Sequence, residues 1–207
     1  MGMIENFKLL EKYGFKLIRY GLSKNEKEAE RIANKIGYPV ALKVVSDEIE
    51  HKTDFGGVRV NIKNKEMLKH FYQEILDNTK KYKIDGILIQ KMARKGIELI
   101  VGGKKDSQFG HMLVLGLGGI YVEVFRDISA RICPITKKDV EEMVFELKSH
   151  PLLTGARGKK PINMKLLTSL LLRTCKFMQK EDIKEMDLNP VVFDSEGCDI
   201  VDARFRK

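Results

Sequence analysis

The strand-like segments of this 207-residue chain come in neighbouring pairs, and this pairing constrains the fold more than any single motif does. The clearest pair is Met186–Phe193 and Cys198–Phe205, which flank the turn-forming run Asp194–Gly197. Strands joined by so short a turn are antiparallel, whereas a doubly wound parallel sheet needs a long crossover after each strand. Helical patterns lie between the strand pairs. The chain is therefore predicted to be an α+β protein.

Three polar positions predict where helices begin. Ser23 with Glu26 has the spacing of a capping box, Asn64 precedes an apolar helical stripe, and Thr136 is followed three residues later by Asp139. Two further helices are predicted at Met3–Tyr13 and Met164–Phe177, and strands are predicted at Val40–Val45, Val58–Ile62, Gly86–Gln90, Glu98–Val101 and Met112–Leu115.

A charged and polar segment at Lys80–Lys83 is the candidate boundary inside the chain. It predicts an N-terminal lobe of residues 1–82 and a C-terminal lobe of residues 83–207, unless residues 1–207 form one continuous domain. No apolar run is long enough to cross a membrane, and the N-terminus lacks a basic-then-apolar signal region. We expect a cytoplasmic protein.

The net charge of +9, from 38 basic and 29 acidic residues, suits a polyanionic ligand. Nucleic acid is disfavoured because no basic run is interleaved with aromatic residues. The three cysteines, Cys133, Cys175 and Cys198, are widely spaced and form no CxxC pair. They predict reduced thiols, with neither a metal site nor a disulfide framework.

The segment Ser46–Val58 (SDEIEHKTDFGGV) has the composition of a phosphate-binding loop. Gly56 and Gly57 would let the backbone approach phosphate oxygens, and His51 could act as an acid, a base or a covalent phosphoryl carrier. Lys43 interrupts an apolar strand, where phosphate would be a suitable partner. A polar hairpin loop with a solvated histidine, and a lysine on the open face of a strand, remain alternatives.

Other polar groups lie at strand ends. Gln90, Lys91 and Met92 end one predicted strand, where backbone groups could read the edge of an adenine ring. Glu98 begins the next strand and could accept hydrogen bonds from a ribose. The glycine-rich Gly116–Gly119 fits neither GxGxxG nor a P-loop, so a tight turn is its expected role.

Counting outward from the turn Asp194–Gly197 places Asn189 opposite Asp202 and Asp187 opposite Arg204. Side chains at opposed positions lie about 4.5–5.5 Å apart at Cβ, close enough for one cation to bind both Asn189 and Asp202. Mg²⁺ takes a few protein oxygens and completes its octahedron with phosphate and water. The alternative is an ordinary hairpin, and a bulge would break the register.

Seven motifs then occur in one order along almost the whole chain: Gly37–Lys43 (GYPVALK), His51–Val58 (HKTDFGGV), Gln90–Met92 (QKM), Glu98–Gly102 (ELIVG), Gln108–Gly110 (QFG), Gly116–Gly119 (GLGG) and Asp187–Pro190 (DLNP). In this order they resemble the ATP-grasp β subunit of ADP-forming acetyl-CoA synthetases, which are relatives of succinyl-CoA synthetase. The resemblance implies an ATP-grasp fold, in which two α+β lobes hold a nucleotide between them.

The resemblance also implies roles for individual residues. It implies that Lys43 binds nucleotide phosphate, that Gln90, Lys91 and Met92 form the adenine-binding segment, that Glu98 contacts the nucleotide, that Asn189 and Asp202 hold Mg²⁺, and that His51 carries phosphate. The loop Thr154–Gly158 also fits the family pattern, without an assigned role.

The activity implied is transfer of a phosphoryl group between a histidine of a CoA-binding α subunit, His51 and ADP. The chain shows no dinucleotide-type fingerprint for CoA, so the chemistry on CoA and the acid is expected on a partner. Two other interpretations stay open. One is a self-contained ATP-grasp ligase that joins a carboxylate to an amine or thiol. The other is a non-catalytic module that binds a nucleotide to regulate a partner, or a basic nucleic-acid binder.

Overall fold

The computed structural model describes residues 2–49, 52–119, 127–156, 158 and 160–207. Its contacts form two compact units. The N-terminal unit comprises Gly2–Ile4 and Ile18–Met92, and the C-terminal unit comprises Glu5–Leu17 and Ala93–Lys207. The predicted lobes, 1–82 and 83–207, stay a prediction. No helix among the described residues has both the length and the hydropathy that crossing a membrane requires.

The N-terminal unit is a four-stranded antiparallel sheet with two helices. The chain starts with helix α1 (Met3–Lys12), and the unit then contains β1 (Tyr20–Ser23), α2 (Glu26–Ile36), β2 (Val40–Val45), β3 (Val58–Ile62), α3 (Lys65–Thr79) and β4 (Gly86–Lys91). The strand order is β1-β4-β2-β3. The helices pack small and branched residues such as Ala29, Ala33 and Ile75 against Leu42 and Ile89 of the two inner strands.

The helix caps show where the local sequence was sufficient to predict the start of a helix. Asn64 accepts a hydrogen bond from the backbone N–H of Met67 at the start of α3, as predicted. Helix α2 is present, but the capping box predicted for it at Ser23 was wrong, because Asn25 is the cap and accepts from the N–H of Glu28. Ser23 instead ends β1, where its buried hydroxyl donates to the carbonyl of Ile87 on β4.

The C-terminal unit is built on a six-stranded antiparallel sheet. Its elements after α1 are β5 (Ile97–Asp106), β6 (Gly110–Leu117), β7 (Ile128–Ile132), α4 (Lys137–Glu146), α5 (His150–Thr154), α6 (Met164–Lys180), β8 (Glu185–Phe193), β9 (Cys198–Ile200) and β10 (Arg204–Arg206). The strand order is β10-β8-β5-β6-β7, and β9 pairs with β8. Helix α6 buries Leu167, Leu171 and Met178. With hairpin-connected antiparallel strands in both units, the α+β prediction is confirmed.

The capping box predicted for α4 is present in full. Thr136 accepts from the backbone N–H of Asp139, and the Asp139 carboxylate accepts in return from the N–H of Thr136. Each bond satisfies a donor that the first helical turn cannot pair internally, which is why the helix begins there.

The cysteine prediction was wrong for two of the three residues. Cys133 and Cys175 are joined by a disulfide, with their Cα atoms 5.8 Å apart, while Cys198 is a free thiol. The pair is separated by 42 residues in sequence. The two cysteines meet only because the chain leaving β7 passes beside α6. Their spacing in the sequence does not indicate that contact.

Candidate functional site

Lys43 lies on the sheet face of the N-terminal unit that points away from the helices. Its neighbours Leu42 and Val44 belong to the core beneath α2 and α3, and side chains alternate along a strand. Lys43 is half-buried and pairs with Val58 on β3 and Leu88 on β4. The structure thus places Lys43 on the sheet face opposite the helices, beside the buried Leu88, and its contact with phosphate stays a prediction.

Gln90 shares this face with Lys43. It is opposite Ala41 on β2, two residues along the ladder from the pair that contains Lys43. Such diagonal neighbours lie about 7–8 Å apart, a span that a nucleotide can bridge. Gln90 is also 1% exposed, so its amide is fixed by its surroundings. Two predicted site residues are therefore brought together on one face of the sheet.

Lys91 and Met92 are placed differently. The Lys91 ammonium donates to the carbonyl oxygens of Gly37 at 2.7 Å and Tyr38 at 3.0 Å, so its side chain holds the turn between α2 and β2. The backbone N–H of Lys91 donates to Arg19 and that of Met92 donates to Pro39. The predicted nucleotide contact of this segment stays a prediction, and for Lys91 the side chain is committed elsewhere.

The glycines of the predicted phosphate loop have a folding role in the structure. The N–H of Gly56 donates to the carbonyl of Thr53 and that of Gly57 donates to the carbonyl of Lys52. Gly56 has a φ of +63°, and a Cβ on Gly57 would lie 2.5 Å from Cγ1 of Val44. Both positions thus need glycine for the loop to close. Their contact with phosphate stays a prediction, and His51 lies outside the described residues.

In the C-terminal unit, Glu98 is packed against the glycine-rich segment. The N–H of Gly118 donates to the Glu98 carbonyl at 2.6 Å, and a Cβ on Gly118 would lie 2.9 Å from that carbonyl group. Gly119 has a φ of +75°, and a Cβ there would lie 3.4 Å from Oε2 of Glu98. The tight turn predicted at Gly116–Gly119 was wrong for Gly116 and Leu117, which belong to β6, whereas Gly119 lies in a turn. Sequence reasoning missed this contact because 20 residues separate Gly118 from Glu98.

The register predicted for the C-terminal hairpin is confirmed. Asp187 pairs with Arg204, and the N–H of Asp194 donates to the carbonyl of Gly197. Between these two points, the N–H of Asn189 donates to the carbonyl of Asp202 at 3.3 Å. Asn189 and Asp202 therefore stand at opposed positions of the hairpin, as the count from the turn required.

The Asp187 side chain interacts with both Asn189 and Asp202. Burial raises the pKa of Asp187 most, and the negative charge of Asp202 adds to it, whereas Arg204 and a side-chain hydrogen bond with Asn189 oppose it. Two carboxylates beside an amide oxygen suit a hard cation, since Mg²⁺ binds oxygen ligands. The described residues contain no group of three or more His, Cys, Asp or Glu side chains that could hold a metal alone. The donor set fits a Mg²⁺ ion that also takes phosphate oxygens.

Comparison with known proteins places these features in a family. A family model for the ATP-grasp domain matches residues 1–206. The chain belongs to the ATP-grasp family. The resemblance stated from the motifs and the predicted ATP-grasp fold are both confirmed.

Several ATP-grasp relatives are similar over almost the whole chain. Acetate–CoA ligase [ADP-forming] I of Archaeoglobus fulgidus is 46% identical over 97% of this chain, which spans 30% of that relative's length. Acetate–CoA ligase [ADP-forming] I subunit beta of Pyrococcus furiosus is 41% identical over 95% of this chain and 87% of its own length. The chain thus matches a separate subunit in one relative and a minor part of a longer protein in the other.

Solved structures give the same result for the ATP-grasp fold. Acetyl-coenzyme A synthetase 1 of Ca. Korarchaeum cryptofilum, in complex with coenzyme A and Ca-AMPCP, has a TM-score of 0.94 and 40% identity, covering 99% of this chain and 92% of that chain. A second structure of that enzyme contains Mg-AMPPCP, with a phosphohistidine segment pointing towards the nucleotide-binding site. Its TM-score is 0.87 at 39% identity, covering 98% of this chain and 90% of that chain.

Proposed function

We propose that this chain is the nucleotide-binding β subunit, or the corresponding domain, of an ADP-forming acyl-CoA synthetase. In this proposal it accepts a phosphoryl group from a phosphohistidine of a CoA-binding partner and passes it to ADP. The observation that carries the proposal is the C-terminal hairpin, where Asn189 and Asp202 stand opposed beside Asp187. The similarity to subunit beta of the Pyrococcus ligase supports it.

The transfer itself needs two exchanges of one phosphoryl group. The phosphorus–nitrogen bond on the partner's histidine breaks as a bond to an imidazole nitrogen of His51 forms. That bond breaks in turn as a terminal phosphate oxygen of ADP attacks, which gives ATP and free His51. Such transfers depend on positioning and on charge neutralisation more than on other covalent chemistry.

In this proposal, different residues of the chain position the nucleotide and neutralise its charge. Lys43 provides a positive charge for the phosphates, and Gln90 with the segment ending at Met92 orients the base. Glu98 accepts hydrogen bonds from the nucleotide, with its carboxylate kept accessible by Gly118 and Gly119. Asn189 and Asp202 would hold Mg²⁺, and the ion when bound neutralises phosphate charge.

A partner chain is part of the proposal. The Pyrococcus relative is a subunit beta, and the Archaeoglobus relative extends well beyond the part that this chain matches. The partner would bind CoA and the organic acid, since this sequence has no dinucleotide-type fingerprint for CoA.

The test uses the complex that co-purifies with this chain from its native host. With acetyl-CoA, phosphate and ADP supplied, His51→Ala should abolish ATP formation while calorimetry still detects ADP binding. His70→Ala is the matched control, because His70 is an exposed histidine on α3 of the N-terminal unit. Full activity in the His51→Ala complex would remove His51 from the mechanism. Turnover of ATP with an organic acid by the chain alone would favour a self-contained ligase instead.

A further inference from the structure

Arg94 joins the segment before β5 to the turn between β8 and β9. Its backbone N–H donates to Asp199 Oδ2 at 2.8 Å, and its Nη1 donates to both carboxylate oxygens of Asp194 at 3.0 Å each. Its Nη2 donates to Asp199 Oδ1 at 3.4 Å. Asp194 directly follows β8 and Asp199 lies in β9, so one side chain holds both strands of the hairpin. We name Arg94, Asp194 and Asp199 the Arg94 clamp.

The turn is shaped around this guanidinium. The Asp194 carboxylate also accepts from the N–H groups of Glu196 and Gly197, at 2.8 Å each, and so fixes the turn. A Cβ on Gly197 would lie 2.8–3.0 Å from the guanidinium atoms of Arg94, so a side chain there would require the guanidinium to move. The clamp side chains are 19–30% exposed. Partly buried, multiply bonded ion pairs of this kind constrain geometry more than exposed pairs do.

The clamp lies on the same hairpin as the proposed metal ligands. Asp194, just after β8, follows Asn189 by five residues, and Asp199 of β9 precedes Asp202 by three residues. Strand β9 is only three residues long, so few ladder hydrogen bonds set its register. A slip by one residue would turn Asp202 to the opposite face of the hairpin.

We infer that Arg94 is a positioning residue for the metal pair, which it keeps opposed by locking the register of β8 against β9. This inference rests on the proposed function, because it takes Asn189 and Asp202 as metal ligands. Arg94 forms its hydrogen bonds with Asp194 and Asp199 and not with Asn189 or Asp202. It acts through the backbone of the hairpin, as supporting groups around metal sites generally do.

The experiment measures Mn²⁺ binding by electron paramagnetic resonance on the full chain with saturating ADP. Arg94→Lys keeps the charge but loses the planar fork that reaches both aspartates. We expect Mn²⁺ affinity to fall by about 10-fold, as for other supporting residues of metal sites. Asp199→Asn, which weakens the clamp from the other side, should have the same effect. The affinity for ADP without metal should not change, and this separates positioning from a general loss of structure.

The matched control is Arg131→Lys. Arg131 is also partly buried in the C-terminal unit, where it bridges Glu142 and Glu146 of α4 away from the hairpin. Unchanged Mn²⁺ affinity is expected for this variant. Equal weakening in Arg131→Lys would overturn the inference, since the effect would then not depend on the hairpin.

Two further variants distinguish the failure of the inference from the failure of the proposed function. If Asn189→Ala and Asp202→Ala weaken Mn²⁺ binding but Arg94→Lys and Asp199→Asn do not, the inference is overturned and the metal site stands. If Asn189→Ala and Asp202→Ala both bind Mn²⁺ as the wild type does, the proposed metal site fails and the inference fails with it.

Discussion

Lys43 is the one charged residue of β2, and it points away from the core that the flanking residues Leu42 and Val44 help to form. A half-buried ammonium on the sheet face opposite the helices is suited to bind phosphate. We therefore expect Lys43→Met to weaken Mg·ADP binding by about 10-fold, as for the loss of one charge-assisted hydrogen bond of about 1.4 kcal/mol. Isothermal titration calorimetry measures the change.

Lys63→Met is the control for this variant. Lys63 is exposed just after β3 in the same unit, so its replacement removes the same charge from the protein as a whole. Its Mg·ADP affinity should equal that of the wild type. Equal losses in the two variants would mean that net charge, and not the position of Lys43, determines binding.

Gly57 is required because there is no room for a side chain at its position. A Cβ there would meet Cγ1 of Val44 at 2.5 Å, so Gly57→Ala should destabilise the fold by about 1–3 kcal/mol through overpacking. The same substitution in a Val44→Ala background should cost less, because the side chain it meets has been shortened. Urea unfolding of the four proteins measures the coupling. An equal cost in both backgrounds would contradict this packing.

Among the secondary-structure elements, those set by local chemistry could be predicted from sequence. Asn64 and Thr136 begin helices because each side chain accepts from a backbone N–H three residues ahead. The hairpin register was predictable because, once the turn that begins at Asp194 is placed, every pair of opposed residues follows by counting outward from it. Ser23 failed as a cap because Asn25 competes for the same role and Ser23 has a partner on β4.

Elements that meet through tertiary packing could not be predicted. Nothing near Cys133 indicates that α6 passes beside it, and nothing near Glu98 indicates that Gly118 packs on it. For the same reason, only part of the candidate site could be predicted from the sequence. Asn189 and Asp202 share one hairpin, whereas the contacts of Arg94 with Asp194 and Asp199 span 100 and 105 residues.

Helix α5 depends on an aspartate from another element. Asp127, next to β7, accepts from the N–H groups of Lys148 and Ser149 at 2.7 and 2.8 Å. Burial alone would raise the pKa of Asp127, but the hydrogen bonds from Ser149 and Lys148 outweigh it and lower the pKa. A carboxyl with a lowered folded pKa stabilises the fold at neutral pH, and this stabilisation is lost as the pH falls through the folded value.

Asp127→Asn should therefore lower the free energy of unfolding by about 1–3 kcal/mol at neutral pH, since one acceptor is lost. The difference from the wild type should shrink below about pH 4, near the unfolded pKa of an aspartate. Urea unfolding at steps from neutral pH to about pH 3 measures it. Asp77→Asn, an exposed change on α3, should show little difference at any pH. A difference for Asp127→Asn that stayed constant with pH would contradict the role of its charge.

At the scale of the whole molecule, the chain has two compact units, and the disulfide belongs to one of them. Cys133 and Cys175 both lie in the C-terminal unit, and the bond between them closes a loop of 42 residues. A cross-link stabilises mainly by restricting the unfolded chain, and a loop of this length corresponds to about 4 kcal/mol. That stabilisation should act on the C-terminal unit, because the N-terminal unit contains no cysteine in its residues Gly2–Ile4 and Ile18–Met92.

Hydrogen exchange read strand by strand can test this division. In a Cys133→Ala/Cys175→Ala variant, amides of β5 and β6 should exchange faster than in the wild type, while those of β2 and β4 should be unchanged. Cys198→Ala, which removes the free thiol of the same unit, should leave all four strands as they were. Equal acceleration in β2 and β4 would mean that the two units unfold as one. Three titratable thiols in the denatured, unreduced wild type would contradict the disulfide itself, because the bonded pair leaves only Cys198 to react.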